Sequence, residues 1–274
     1  AWKCSRATGA TSARRSGLNS WISGFQRGNA VIEVKILVTR CISLSMTQFQ
    51  KFKDRRHVFA TRMEAGIAII PIAPEQLRNR DAHYPYRFDS YFHYLTGFRE
   101  PEAVLVMIAA SRDTAAKHIL FCREKNQERE IWDGFRYGPD AAKEVFGFDE
   151  AYPIGQLDEL LPKLLVNQPA VYAAFGQDQA WNQRIIDWLN QVREQSRTGV
   201  ASPAEIHDYR TVLDDMRLIK GSDELQIMQR AADISTQAHQ RAMQTTCPGM
   251  REYESAAGLR CTFCRHGARA PPHT

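Results

Sequence analysis

Between residues 49 and 195 two kinds of apolar pattern alternate, and this alternation limits what the chain can fold into more than any other feature. Ile67–Ile72, Ala103–Ala109, His118–Arg123 and Ala170–Phe175 are apolar runs of strand length, shorter than the roughly 10–12 residues a helix would need. Helical spacings fall between them. Phe49, Phe52, Phe59 and Met63 recur at helical intervals, and Gly66 stands where a C-terminal cap is expected. Further helical patterns run over 139–146, 156–166 and 178–195. The turn-rich Ser111-Arg112-Asp113 between the second and third runs predicts a β-hairpin. Strands interleaved with helices predict an α/β layer structure with helices packed on a sheet.

The 274 residues suffice for one or two domains. No apolar run approaches the roughly 20 residues of a membrane-spanning helix, so no membrane partner is expected. The net charge of +5 raises the question of nucleic acid, and its distribution answers it. Residues 1–45 hold seven bases (Lys3, Arg6, Arg14, Arg15, Arg27, Lys35, Arg40) and one acid, Glu33, which leaves 29 bases and 30 acids in the other 229 residues. A nearly neutral body lacks the field that dominates nucleic-acid affinity. The head has no Met before Met46, so it reads as translated upstream sequence, with a transit-like leader or an extension carrying a strand at Val31–Val38 as alternatives. Of six cysteines only Cys122 lies between the head and residue 247, which is no secreted disulfide framework and points to a reducing compartment.

Around Asp215–Gly221 the texture turns to long helix. Ser222 reads as an N-cap, with Asp223 and Glu224 in the first turn where the helix dipole favours acids. Leu225, Met228, Ala232, Ser235, His239 and Ala242 then share one face, and that face needs a partner surface.

Few constellations suggest chemistry. Cys261-Thr-Phe-Cys264 with His266 has half of a zinc or redox spacing, but no second pair exists; two incidental thiols on a helix is the better reading. The polar, aromatic loop Arg78-Asn-Arg-Asp81-Ala-His-Tyr-Pro-Tyr-Arg87 is either a binding loop held at a sheet edge or a solvated turn in which Asp81 caps an amide. Tyr91–Phe98 reads as core. Trp132-Asp133-Gly134 reads as a turn whose Trp plugs the core or lines a pocket or interface. No phosphate-binding Gly-rich loop, His-Glu-x-x-His or Gly-x-Ser-x-Gly motif occurs.

The stretch Arg78 to Leu105, with its Asp81-Ala-His-Tyr-Pro-Tyr-Arg87 and Phe92-His-Tyr-Leu-Thr-Gly-Phe98, resembles the N-terminal domain of the bacterial Xaa-Pro aminopeptidase (aminopeptidase P) family. Glu130-Ile-Trp-Asp-Gly134, Met216 to Leu225, Pro248-Gly-Met250 and Arg265-His-Gly-Ala-Arg269 resemble the same family in the same order. The resemblance implies a creatinase-type α/β domain, a mixed sheet with flanking helices, over 46–216. The first helices of an incomplete pita-bread metallopeptidase domain would follow over 217–274, with 1–45 outside the family. It implies removal of an N-terminal residue that precedes proline, in a cytoplasmic homo-oligomer, by two metal ions, commonly manganese. The family's ligands, two Asp, one His and two Glu, are expected beyond Thr274, so the chain as given is expected to bind no metal and to be inactive alone. A noncatalytic oligomerisation or peptide-binding module is the alternative. The resemblance assigns Asp81 and Trp132 to a substrate-proximal place across a subunit interface: the acid would hold the substrate's α-amino group and the Trp would wall its pocket. His266 matches a family segment that supplies no ligand. Cys261, Cys264, Pro272 and His273 depart from the family pattern, a departure expected of errors near the end of a sequence read.

Overall fold

The computed structural model describes residues 49–111 and 114–268. The head over 1–45, including the Val31–Val38 stretch read as a possible strand under one alternative, and Met46, Arg112, Asp113, Arg269, Pro272 and His273 lie outside the described residues. The first helix, α1, covers 49–62 and buries Phe52, Phe59 and Met63. Its end corrects the capping expected at Gly66: the left-handed residue just beyond α1 is Glu64, with φ 61°. Gly66, at φ 112°, serves close approach instead, because a Cβ there would stand 2.4 Å from the Ala170 carbonyl oxygen.

The chain continues through β1 (Ile67–Pro71), β2 (Leu77–Asn79), β3 (Ala82–His83), α2 (Ser90–Thr96), β4 (Val104–Ile108) and β5 (Lys117–Cys122). It proceeds through α3 (Gln127–Asp133), α4 (Gly138–Phe146), β6 (Glu150–Pro153), α5 (Leu157–Leu165), β7 (Ala170–Tyr172), α6 (Gln179–Glu194) and β8 (Glu205–His207). The strand expected over Ala170–Phe175 thus stops at Tyr172. Six strands form one sheet in the order β6-β5-β4-β1-β7-β8. β4 pairs antiparallel with both β1 and β5, as the hairpin pattern requires, while β1–β7, β7–β8 and β5–β6 are parallel.

The central strands are covered on both faces, which is why their sequences run apolar without alternation. Ile67, Ile69, Val104, Val106, Ile119 and Phe121 meet Leu157, Leu161 and Leu165 of α5 and Ile185, Trp188, Leu189 and Val192 of α6. The intervening Ala68, Ile70, Leu105, Met107, Leu120 and Cys122 are equally buried and face the other way. An aromatic cluster joins α1 to the segments around α2 and α4: Phe146 meets Phe49 at 4.8 Å and Phe98 at 5.3 Å between ring centroids. Phe92, Leu95 and Phe98 are fully buried, so the Tyr91–Phe98 stretch does pack in the core.

The chain divides into two compact units at Arg210–Thr211. α7 (Tyr209–Leu218) is followed in the second unit by α8 (Ser222–Thr245) and α9 (Glu252–Arg265). The N-cap of α8 is Gly221 rather than Ser222, and the Glu224 carboxylate reaches back to accept from the Gly221 amide at 3.0 Å. The face expected of this helix also shifts. Ile234 and Ala238 are its buried residues and cluster with Phe263 of α9, whereas Leu225 and Met228 stay exposed. The shift follows from the partner available within this unit, a single antiparallel helix that shelters one narrow seam.

Candidate functional site

Asp81 stands at the tip of the β2–β3 hairpin. The two-residue turn Arg80-Asp81 joins strands paired through Asn79 and Ala82, and Arg80 takes φ 45°, as the first central position of the commonest hairpin turns requires. Asp81 is exposed. The roots of the loop are tied down. The Tyr84 amide donates to the Gln76 carbonyl at 2.9 Å, and the Tyr86 hydroxyl donates to the Ala73 carbonyl at 3.0 Å. Burial, and then the nearby Glu75 carboxylate, raise the Tyr86 hydroxyl well above its ordinary range and keep it a donor. The loop closes into α2 through Asp89, whose Oδ1 accepts from the Phe92 amide at 2.8 Å.

Trp132 lies in the last turn of a helix, α3, and not in the turn the sequence suggested. Asn126 caps the helix by accepting from the Arg129 amide at 3.0 Å, and Gly134 ends it at φ 82°. An ionic frame fixes the return. Lys125 Nζ bonds Glu130 at 2.7 Å, donates to the Arg136 carbonyl at 2.8 Å and sits 4.0 Å from the Phe135 ring centroid. Arg136 donates to Asp133 at 2.6 Å, and its amide donates to Glu130 at 3.2 Å. The hydrogen bond from Lys125 is the main cause that holds the Glu130 carboxyl below its ordinary range. One step inward, the Glu100 carboxylate accepts from the Tyr137 amide at 2.7 Å and faces Arg123 at 3.7 Å. Burial raises its pKa in spite of these partners.

This frame holds a ridge of apolar side chains away from the core: Ile131 is 79% exposed, Trp132 85% and Phe135 62%. Charged groups rim it, the arrangement typical of a surface that meets another molecule. Trp132 therefore does not plug its own core. Among the described residues no hydrogen bond or ring contact joins Trp132 to Asp81; one stands at the end of a helix and the other at the tip of a hairpin, each braced separately. Sequence reasoning missed Glu100, Lys125, Glu130 and Arg136. The dense alternation of charge over 123–136 was the available signal for three of them, while nothing local marks Glu100.

Among the described residues the thiols gather no site. Cys122 is buried, Cys247, Cys261 and Cys264 are exposed, and all four are free. His266 Nδ1 lies 2.9 Å from the Thr262 carbonyl oxygen. Among the described residues no group of three or more His, Cys, Asp or Glu side chains is placed to hold a metal ion.

Comparison with known proteins gives this geometry a context. Residues 52–172 match the family described as Aminopeptidase P, N-terminal domain. The Xaa-Pro aminopeptidase of Escherichia coli (strain K12) is 40% identical over 225 residues, which covers 82% of this chain and 51% of that protein. The Xaa-Pro aminopeptidase of Haemophilus influenzae is 36% identical over 225 residues, covering 82% and 49%. Among solved structures, a Zn-substituted E. coli aminopeptidase P in complex with product aligns with a TM-score of 0.77 at 40% identity, covering 81% of this chain and 50% of that one. A variant of the same enzyme solved in complex with substrate aligns equally well. The chain spans about half the length of the curated relatives it matches.

Proposed function

Because the chain is a homologue of bacterial Xaa-Pro aminopeptidase over the region of its N-terminal domain, with the α/β fold of that domain, we propose that it forms the substrate-shaping part of such an enzyme. The parent activity is release of an N-terminal residue that precedes proline. The observation that carries the reading is Trp132, an indole 85% exposed on a braced ridge. A large aromatic held rigidly outside its own core is suited to complete a site on another surface. In a homo-oligomer it walls a neighbouring subunit's substrate pocket, and the exposed Asp81 carboxylate accepts a charge-assisted hydrogen bond from the substrate's ammonium group. Together they orient the peptide and exclude water from the reacting end.

The two manganese ions of the family supply a metal-activated water and polarise the scissile carbonyl when bound. The described residues do not fit them, having no group of three or more candidate ligands. The free thiols of Cys122, Cys247, Cys261 and Cys264 support a cytoplasmic setting.

Two measurements test the proposal. The purified chain with manganese should release nothing from an Xaa-Pro peptide, and chelator-sensitive turnover by pure material would contradict that. A chimera joining this chain to the C-terminal half of the E. coli relative should lose roughly tenfold or more of its kcat/KM on Asp81→Asn or Trp132→Ala, one charge-assisted contact being worth about that much. Undiminished turnover by both variants would end the reading.

A further inference from the structure

The order of the strands creates a crevice that the roles of Asp81 and Trp132 do not use. From β1 the chain moves one way across the sheet, through β4 and β5 to β6, and then crosses to the other side of β1 to add β7 and β8. The strand order therefore reverses between β1 and β7, two parallel neighbours. In open α/β sheets, ligands collect beyond the carboxyl ends of the strands at such a reversal, because the loops on either side diverge there.

A pocket of about 260 Å³ opens at this place. The segments that follow β1 and β7 form its walls, and α6 and Tyr209 complete it. Its size suits a ligand smaller than those that fill the usual pockets of roughly 300–1,000 Å³. The lining is chemically one-sided. Ile69, Ile185, Trp181 and Tyr209 give an apolar and aromatic floor, and the polar groups are the carboxylates Asp89 and Asp178 with the carboxamides Gln76 and Gln177. Each carboxylate spends Oδ1 on a helix start. Asp89 Oδ1 accepts from the Phe92 amide at 2.8 Å, and Asp178 Oδ1 accepts from the amides of Ala180 and Trp181 at 2.8 and 3.2 Å. Their Oδ2 atoms keep acceptor capacity.

Among the described residues no Lys, Arg or His lines the pocket. Two guanidinium groups on the bordering helices are held by carboxylates, and one of them, Arg184, also lies 5.0 Å from the ring centroid of the lining residue Trp181. Arg184 holds both oxygens of Asp158, at 2.7 and 2.9 Å, and Arg210 holds Asp208 at 2.6 Å. An anion, or the carboxylate of a free amino acid, would face two acids with no compensating base.

We propose that this pocket binds a small organic monocation, a primary amine on a flat apolar body without a carboxylate. The ammonium donates to Asp89 Oδ2 and Asp178 Oδ2, and the apolar body lies against Trp181 and Ile185.

Isothermal titration of the full chain with phenethylamine tests this, with 3-phenylpropionate as an anionic control of matched ring and chain. Saturable one-site binding of the amine and none of the acid is expected. The double variant Asp89→Asn/Asp178→Asn keeps both helix caps, since Asn caps as well as Asp, and should bind at least about tenfold more weakly. Gln177→Lys, at an exposed position, sets a competing cation on the rim and should weaken binding as much, so it decides the matter if the double variant fails to fold. Absence of saturable amine binding, equal binding of the acid, or undiminished binding by the folded variants would overturn the proposal. No peptide hydrolysis enters these measurements, so their outcome is independent of the aminopeptidase reading.

Discussion

The Arg56 guanidinium, on a side chain with no exposed surface, donates to the Gly147 carbonyl oxygen at 2.7 Å. It also donates to the carbonyls of Phe146 at 2.9 Å and Leu95 at 3.1 Å, and lies 4.5 Å from the Phe148 ring centroid. One cation from α1 thus satisfies the carbonyl ends of α2 and α4, where helix dipoles are negative and the last carbonyls lack partners. Burial pulls this guanidinium down to about 10, against the opposing influence of Asp149.

Arg56→Met should therefore destabilise the fold by about 3 kcal/mol, since it strands buried carbonyls in two helix ends at once. Arg56→Lys should recover only part of the loss, because an ammonium cannot span the same fork of acceptors. Urea unfolding measures both. A loss below about 1 kcal/mol for the Met variant would mean that the carbonyls find other partners.

Two histidines predict acid sensitivity in a defined window. His118 is pulled down to about 4, by burial first and then by Arg56, although Asp149 lies 3.4 Å away and acts in the opposite sense. His93 is likewise pulled down to about 4, by burial and then by Arg99, Lys51, Arg55 and Arg87. In the unfolded chain both titrate near 6.5. As pH falls from 6.5 toward 4 the unfolded state takes up protons that the native state refuses, so stability falls through this window and is flat above it. His118 should account for on the order of 2–3 kcal/mol, and the more exposed His93 for less. Asp158 and Asp208, held low by Arg184 and Arg210, lose their contribution only below their ordinary value of 3.8. His118→Gln should flatten the profile between pH 7 and pH 5, and parallel profiles for variant and parent would refute the assignment.

Gly66, just before β1, brings its backbone close against β7. A Cβ there meets the Ala170 carbonyl oxygen at 2.4 Å and is strained at φ 112° besides. Gly66→Ala should cost about 3 kcal/mol or more, because the obstacle is backbone of a paired strand and cannot rotate away. A thermal melt that shows near-neutral behaviour would require β7 to move.

The sheet and its main helices were legible because central strands and amphipathic helices carry different apolar periods, and residues such as Ile69 and Leu161 sit in them without conflict. What escaped has physical reasons. β8 is three exposed residues, Glu205–His207, defined by backbone pairing that leaves no apolar imprint. β2 and β3 are exposed throughout, so only the turn at Arg80-Asp81 could betray them. Trp132 was misplaced in a turn because Gly134 two residues on reads as a turn signal, yet here it ends a helix. The brace behind Trp132 depends on Glu100 bonding the Tyr137 amide across 37 positions, a relation that no local pattern contains. Asp81 and Trp132 were picked out by family resemblance; composition and spacing left both readings of that loop open.

Trp132 and Gly138 should separate surface function from structure. At 85% exposure, Trp132→Ala should change the unfolding free energy by less than about 0.5 kcal/mol. Gly138 takes φ 72°, and a Cβ there stands 3.1 Å from Lys125 Cβ and 3.2 Å from its backbone nitrogen. Gly138→Ala should cost about 1–2 kcal/mol and loosen the Lys125 frame. Equal effects of the two substitutions in calorimetry would mean that the indole is packed rather than presented.

Residues beyond Arg210 should open before the sheet does. Within the second unit the buried apolar cluster consists of Ile234, Ala238 and Phe263, with Leu259 and Ala268 partly covered. α8 meanwhile exposes Leu225, Ile227, Met228 and Met243. Ordering 24 residues of α8 and 14 of α9 opposes folding by roughly 1–2 kcal/mol per residue in backbone entropy, and a seam of three buried side chains recovers little of it. Such a helical pair sits at the low end of local stability, where opening is frequent. Limited trypsin digestion should therefore cut at Arg230, Arg241 or Arg251 well before any site in 49–210, and amide exchange in α8 should be faster than in β1 or β4. Equal protection of α8 and the central strands would show that its exposed apolar face is covered in solution.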